Sequence, residues 1–182
     1  ARLDTLADLV GPAQQAYAQI APVNNLATAS YRAGFALPAD PAELAEAFRS
    51  ALADRRREEL ARGLTLVGPH RDDLALTIGE LPARGYASHG ESWSLALALR
   101  LGAFELLRAD GIEAVLILDD VFAELDATRR ERLAVAARDA EQVLVTAAVG
   151  SDVPELLDGS RFEITAGQIA TTASSSHRAD DV

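Results

Sequence analysis

An α/β fold with a parallel sheet, preceded by a small helical segment, is what the sequence predicts. Three observations carry this. From residue 63 onward, β-prone apolar runs alternate with helical stretches, the order that produces right-handed strand–helix–strand crossovers. Val115-Leu-Ile-Leu118 runs straight into Asp119-Asp120. Such a run describes a buried parallel-type strand that delivers its acids to the carboxyl edge of a sheet, where α/β proteins place ligands. Residues 1–62, by contrast, read as helical and connecting.

Taken in order, Leu3, Leu6 and Val10 have helical spacing, and Gly11-Pro12 is expected to break the run before Gln14–Ile20 resumes it. Residues 21–41, with three prolines, Asn24-Asn25 and Gly34, predict a loop or extended connection. Asp40 is the cap of a helix over 41–62, with Pro41 at its first position, Glu43 in the first turn and arginines near its end. Leu44, Phe48, Leu52 and Leu60 form its apolar stripe. Beyond it, Leu64–Val67 and Leu74–Ile78 are predicted strands flanking Gly68-Pro-His-Arg-Asp-Asp73. Ser88 caps a predicted helix over 91–109 that ends at Asp110-Gly111. Strand 114–119 is followed by a helix over 127–140 with Asp126 as cap, then by strand Val143–Thr146. Arg161–Thr165 and Gln168–Thr172 around Ala166-Gly167 predict a terminal hairpin. Ser-rich residues 173–182 are expected to be a disordered tail.

Composition excludes several classes of function. The chain has no cysteine, which removes disulfides, thiolate metal sites and a cysteine nucleophile. No apolar run approaches the roughly 20 residues of a membrane span, and a reducing cytoplasmic setting without membrane partners is expected. All 17 basic residues are arginine. A phosphate-cradling P-loop ends in Gly-Lys-Ser/Thr and cannot be built without lysine. Methionine is absent too, which predicts a processed chain or a piece of a longer one. Of the net charge of −11, residues 1–62 carry only −1, with 7 arginines against 8 acids. Residues 63–182 are therefore the acidic part, poorly suited to a broad phosphate-binding face. Arg55-Arg56-Arg57 is the one dense basic cluster and the candidate for DNA contact; the alternative is the solvated face of an Arg/Glu helix.

Chemistry concentrates at Asp119-Asp120. Adjacent carboxylates repel unless a proton or cation offsets them, and a hydrated Mg²⁺ beside nucleotide phosphates is the usual solution. The competing reading is a strand that ends in a solvated acidic turn. Ser88-His89-Gly90-Glu91 and Glu124-Leu-Asp126 favour the nucleotide.

Gly68-Pro-His-Arg-Asp-Asp73, Tyr86-Ala-Ser-His-Gly-Glu91 and Leu116-Ile-Leu-Asp-Asp-Val-Phe-Ala-Glu-Leu-Asp126 together resemble RecF, the bacterial recombination-repair family of SMC/ABC-type ATPases. The likeness covers residues 60–170 well and the first third loosely. It implies that residues 1–62 are the end of a helical arm and 63–172 an ABC-type carboxy-terminal ATPase lobe. The P-loop would lie in an amino-terminal lobe outside this chain. It further implies that Ser88, His89, Gly90 and Glu91 form the signature that covers ATP held by a partner subunit. A Ser hydroxyl and a helix amino terminus suit an anion. By the same resemblance Asp119 is the Mg²⁺-side acid, Asp120 polarises the attacking water, and Asp126 closes the loop that crosses the dimer interface. After Val143–Thr146, where transporter relatives place a switch histidine, stand Ala147-Ala148, which leaves Thr146 to take part of that role. His70 and Arg71 are expected to be polar contacts, or to pair with Asp72 or Asp73.

The function this implies is ATP-dependent head-to-tail homodimerisation of a DNA replication and repair ATPase. The full protein would recognise gapped or junction DNA and help load RecA with RecO and RecR. Alone, this chain would be inactive. Three rivals stand beside it, one of them a transporter ATPase subunit, which would want the switch histidine and a coupling surface. An SMC-like chromosome-maintenance head would need long heptad arms, which 1–62 lack. A non-catalytic interaction module is the reading from another class.

Overall fold

The computed structural model describes residues 1–21, 23 and 26–172. The predicted tail, 173–182, and Pro22, Asn24 and Asn25 of the predicted connection lie outside the described residues. Contacts divide the chain into two units, Ala1–Ala114 and Val115–Val182, rather than at the change of sequence pattern near residue 62.

In the first unit, the helix α1 (Arg2–Ile20) packs on α4 (His89–Ala109). Ala13, Ala16, Tyr17 and Ile20, spaced by three and four, are the buried face of α1. Ser94, Leu95, Leu97, Ala98, Leu101, Gly102 and Phe104 are buried on α4. The two backbones meet at Gly102, where a Cβ would lie 2.7 Å from the Ala13 nitrogen and 2.8 Å from its Cα. The expected break at Gly11-Pro12 does not occur, and α1 runs through both residues. Pro12 forfeits one hydrogen bond of the ladder, but the buried face that follows it holds the helix together through tertiary packing.

The connection expected over 21–41 contains a strand, β1 (Ala27–Arg32). It lies antiparallel to β2 (Asp73–Ile78), with Ala27 opposite Ile78 and Arg32 opposite Asp73. The short β3 (Leu81–Pro82) continues this sheet, and a kinked turn, α3 (Ala83–Tyr86), leads into α4. Between β1 and β2 lies α2 (Leu44–Arg62), entered through a 3₁₀ turn at Pro41–Glu43. As expected, Asp40 caps this entry by accepting the Ala42 N–H at 2.8 Å. Gly63, left-handed at φ 64°, ends the helix. The strand predicted over Leu64–Val67 is absent. Its backbone turns inward to Glu59, only 7% exposed, whose carboxylate accepts the N–H of Leu66 at 2.7 Å. A loop tied to a helix in this way cannot offer a ladder to a neighbour.

The second unit holds the parallel pair. The strand β4 (Leu116–Asp119) leads through a 3₁₀ turn (Val121–Glu124) into α5 (Ala127–Arg138) and then into β5 (Val143–Thr146). The two strands pair in parallel, Leu116 opposite Val143 and Asp119 opposite Thr146. Leu116 and Leu118 are buried, as are Phe122, Leu125 and, on α5, Leu133, Ala134 and Ala137. The strand expected to be buried on both faces is buried on one, since Ile117 is 63% exposed. Alternation is the period-2 consequence of a pair with only one face covered within its unit. The terminal hairpin β6 (Arg161–Thr165) and β7 (Gln168–Thr172) forms as predicted. Its turn residues Ala166 and Gly167 both have positive φ, 50° and 77°, the requirement of a tight hairpin turn that matches strand twist.

Candidate active site

The alternation of β4 ends at Asp119, exposed at the carboxyl end of the strand. Beside it, at the same level of β5, stands Thr146. The Thr146 hydroxyl donates a short hydrogen bond to Asp119 Oδ1. The next residue, Asp120, leaves the strand in a left-handed conformation, φ 51° and ψ 23°. Few non-glycine residues adopt that region, at a cost of order 1–3 kcal/mol. Its N–H donates to both oxygens of Thr146, at 3.1 Å to the carbonyl and 3.1 Å to the hydroxyl.

From Asp120 the chain turns past the buried Phe122 and Leu125 to Asp126, the amino-terminal cap of α5. Asp126 accepts the Arg129 N–H at 2.9 Å and pairs closely with the Arg129 guanidinium. The backbone hydrogen bond from Arg129, aided by its charge, holds the Asp126 carboxyl below its ordinary range against an opposing effect of burial. Arg130 secures the same corner, donating to the Leu125 carbonyl at 2.8 Å and to Asp152 at 2.9 Å.

In the first unit, Ser88 caps α4 as predicted, although the helix starts earlier, at His89. Ser88 and Glu91 form a reciprocal capping box. The Glu91 carboxylate accepts the Ser88 N–H at 2.8 Å and its hydroxyl at 2.7 Å. Gly90 contributes its carbonyl to the Ser94 hydroxyl at 2.8 Å. His89 stands edge-on to Trp93, with ring centroids 6.2 Å apart. Trp93 itself is half-buried rather than a core residue.

The Gly68–Asp73 segment is a hydrogen-bonded brace. His70 Nε2 meets the Thr65 hydroxyl at 2.7 Å, and Arg71 Nε donates to the Thr65 carbonyl at 2.8 Å. Arg71 thus turns to the loop before it rather than to Asp72 or Asp73. Asp72 instead accepts the Tyr31 phenol at 2.5 Å and the Gly34 N–H at 2.9 Å, joining the segment to the end of β1. The bond to Asp72 raises the Tyr31 phenol above its ordinary value, with burial adding to it. On α2, Arg55, Arg56 and Arg57 are all exposed. Arg55 pairs with Glu58 at 2.9 Å. Successive helical residues project about 100° apart, so three in a row do not share one face.

The exposed carboxylates of Asp119 and Asp120 are an all-oxygen donor pair. Among the described residues no group of three or more His, Asp or Glu could hold a metal. The pair fits Mg²⁺, which protein sites usually hold by one or two carboxylates while phosphates and water complete the shell.

No family model matches the chain. Among curated proteins it is 61% identical to the DNA replication and repair protein RecF of Cutibacterium acnes, over 93% of this chain and 46% of that protein. It is 53% identical to the protein of the same name from Streptomyces avermitilis, over 92% and 45% of the two chains. By sequence, the chain is similar to RecF proteins over nearly all of its own length. It spans about half the length of the curated relatives it matches. In three dimensions, this chain superposes on the recombination mediator protein RecF-ATP of the RecFOR pathway with a TM-score of 0.74. That match has 25% identity and covers 94% of this chain and 45% of that one. An SMC head bound to the C-winged helix domain of ScpA shares the fold alone, at a TM-score of 0.54 and 14% identity, over 93% and 44% of the two chains. The fold is therefore an α/β fold of the ABC/SMC ATPase type.

Two residues that brace these segments have roles the sequence did not reveal. Arg130, which pins the corner after Asp126, reads in sequence as one more arginine of an Arg/Glu helix. Asp72 looks like half of an acid pair; only the return of β1 brings Tyr31 to it.

Proposed function

We propose that this chain is the carboxy-terminal part of a RecF-type DNA replication and repair ATPase. It would supply the end of the inserted arm, centred on α2, and the second ATPase lobe. The observation that carries this reading is Asp119-Asp120 at the carboxyl end of a parallel strand, with the first acid hydrogen-bonded to Thr146 and the second in a left-handed turn. The likeness to RecF proteins supports it.

In this reading Asp119 holds Mg²⁺ on the ATP phosphates, and Asp120 orients and polarises the attacking water. Bound Mg²⁺ would supply the charge that offsets the phosphate oxygens. Ser88, His89, Gly90 and Glu91 would cover ATP held by the P-loop of a second subunit, so that nucleotide joins a head-to-tail homodimer. Two of the signature's own groups must then be released, because the Ser88 hydroxyl and N–H are given to Glu91. Asp126 and its loop would cross the interface. The closed dimer would engage gapped or junction DNA and act with RecO and RecR to assist RecA, in the cytoplasm. Arg55, Arg56 and Arg57 are candidate phosphate contacts, with Arg55 partly spent on Glu58.

The test is a pair of variants in the full-length protein. Asp120→Asn should permit ATP-driven dimers and slow turnover by about 10²-fold or more, the range for losing a general base or water-orienting group. Asp119→Asn should weaken Mg-ATP binding itself. Parental hydrolysis rates in both variants would remove the assignment.

A further inference from the structure

Thr146 stands where β5 ends, and its two oxygens serve both acids of the neighbouring strand. The hydroxyl gives its proton to Asp119 Oδ1 and accepts the Asp120 N–H, while the Thr146 carbonyl accepts the same N–H. A hydroxyl engaged on both sides has its direction fixed, with its one proton committed to Asp119. Three consequences follow. Asp119 is held in one rotamer, with Oδ1 occupied and Oδ2 left for another partner. The N–H bonds to Thr146 pin the left-handed Asp120 in a conformation that would otherwise relax. The spacing between the two acids is then set by a residue on a different strand. Threonine suits the task, since its branched Cβ restricts χ1 in a strand.

We infer that Thr146 is a positioning residue for the ATPase acids, fixing Asp119 for the metal and Asp120 for the water, and touching neither metal nor nucleotide itself. This rests on the proposed assignment of Asp119 to Mg²⁺. Groups that orient metal ligands typically matter about 10- to 100-fold in metal affinity.

The experiment uses the full-length protein with Mn²⁺ as the metal probe, its binding followed by electron paramagnetic resonance at saturating ATPγS. Thr146→Val keeps the shape and removes the hydroxyl; Thr146→Ser keeps the hydroxyl. Expected is a Mn²⁺ Kd raised about 10-fold or more in the valine variant, and near the parental value in the serine variant. Melting temperature and metal-free ATPγS affinity should stay parental in both. A valine variant with parental Mn²⁺ affinity overturns the inference. If that variant melts early, Thr146→Ala against Thr146→Ser decides, and equal Mn²⁺ affinity in those two overturns it as well. Asp119→Asn in the same assay separates the two layers. If it loses Mn²⁺ while Thr146→Val does not, only the positioning role falls. If Asp119→Asn also binds as the parent, the magnesium-site assignment falls and the inference with it.

Discussion

Asp126, which the proposed dimer would place at a subunit interface, is in the structure the amino-terminal cap of α5. Its depressed pKa comes first from the Arg129 N–H and then from that residue's charge. Since the folded value is lowered, its contribution to stability is complete above the unfolded value of about 3.9 and is lost as pH falls through the folded one. A carboxyl-resolved NMR titration should place the Asp126 midpoint below about 3.9; a midpoint at or above it would contradict the cap geometry. Asp126→Ala should cost about 0.5–2 kcal/mol, the usual range for a lost cap, measured by denaturant unfolding. Ser88 makes a parallel case with a different readout. In the full-length protein, Ser88→Arg should block ATP-induced dimers and leave the monomer's ATP affinity nearly intact, because Ser88 would meet nucleotide only across the interface. Sedimentation with ATP decides, and undiminished dimerisation counts against the signature assignment.

At the scale of elements, the contact between α1 and α4 depends on a single missing side chain. The obstacle to a Cβ at Gly102 is the backbone of Ala13, at 2.7 and 2.8 Å, which cannot rotate away like a flexible side chain. Gly102→Ala should therefore destabilise the first unit by about 1–3 kcal/mol, the typical cost of overpacking, despite alanine's better helix propensity. A urea transition with an unchanged midpoint would show that α1 yields more freely than its packing implies. The helices that begin at Ser88 and Asp126 were legible in sequence because a cap signals over only three residues: Ser88 meets Glu91, and Asp126 meets Arg129. The hairpin was legible for the same reason, with a two-residue turn between alternating runs.

The whole chain carries a net charge of −11 and no lysine. By itself it should neither bind ATP tightly nor hydrolyse it, since most phosphate contacts of such a site come from a P-loop. A nucleotide titration with micromolar affinity would refute this. The same chain should bind DNA weakly in about 150 mM salt, the near-physiological regime. Each phosphate it neutralises would contribute a salt slope near −0.9. Fluorescence anisotropy with a gapped duplex is the measurement. Tight, salt-resistant binding would place the DNA surface on this part of the protein.

By itself the sequence determined the local elements and the chemistry at their ends: the capped helices, the strand running into Asp119-Asp120, the parallel β4–β5 pair and the terminal hairpin. The caps, the strand and the hairpin rest on signals spanning a few residues, and the parallel pairing on the strand–helix–strand order. Tertiary structure decided what depends on a distant partner. The loop or extended connection predicted over 21–41 became a strand at 27–32 because β2, more than forty residues on, offered a ladder. Residues 64–67 lost their predicted strand because the Glu59 carboxylate took the N–H groups of Leu66 and Val67. Pro12 stayed within a helix because α4 packed against the turn after it. Thr146 acquired a precise place beside Asp119 only through the register of two parallel strands. Local propensity is encoded residue by residue, whereas a ladder, a buried carboxylate's acceptor and a shared hydroxyl exist only once two remote segments meet.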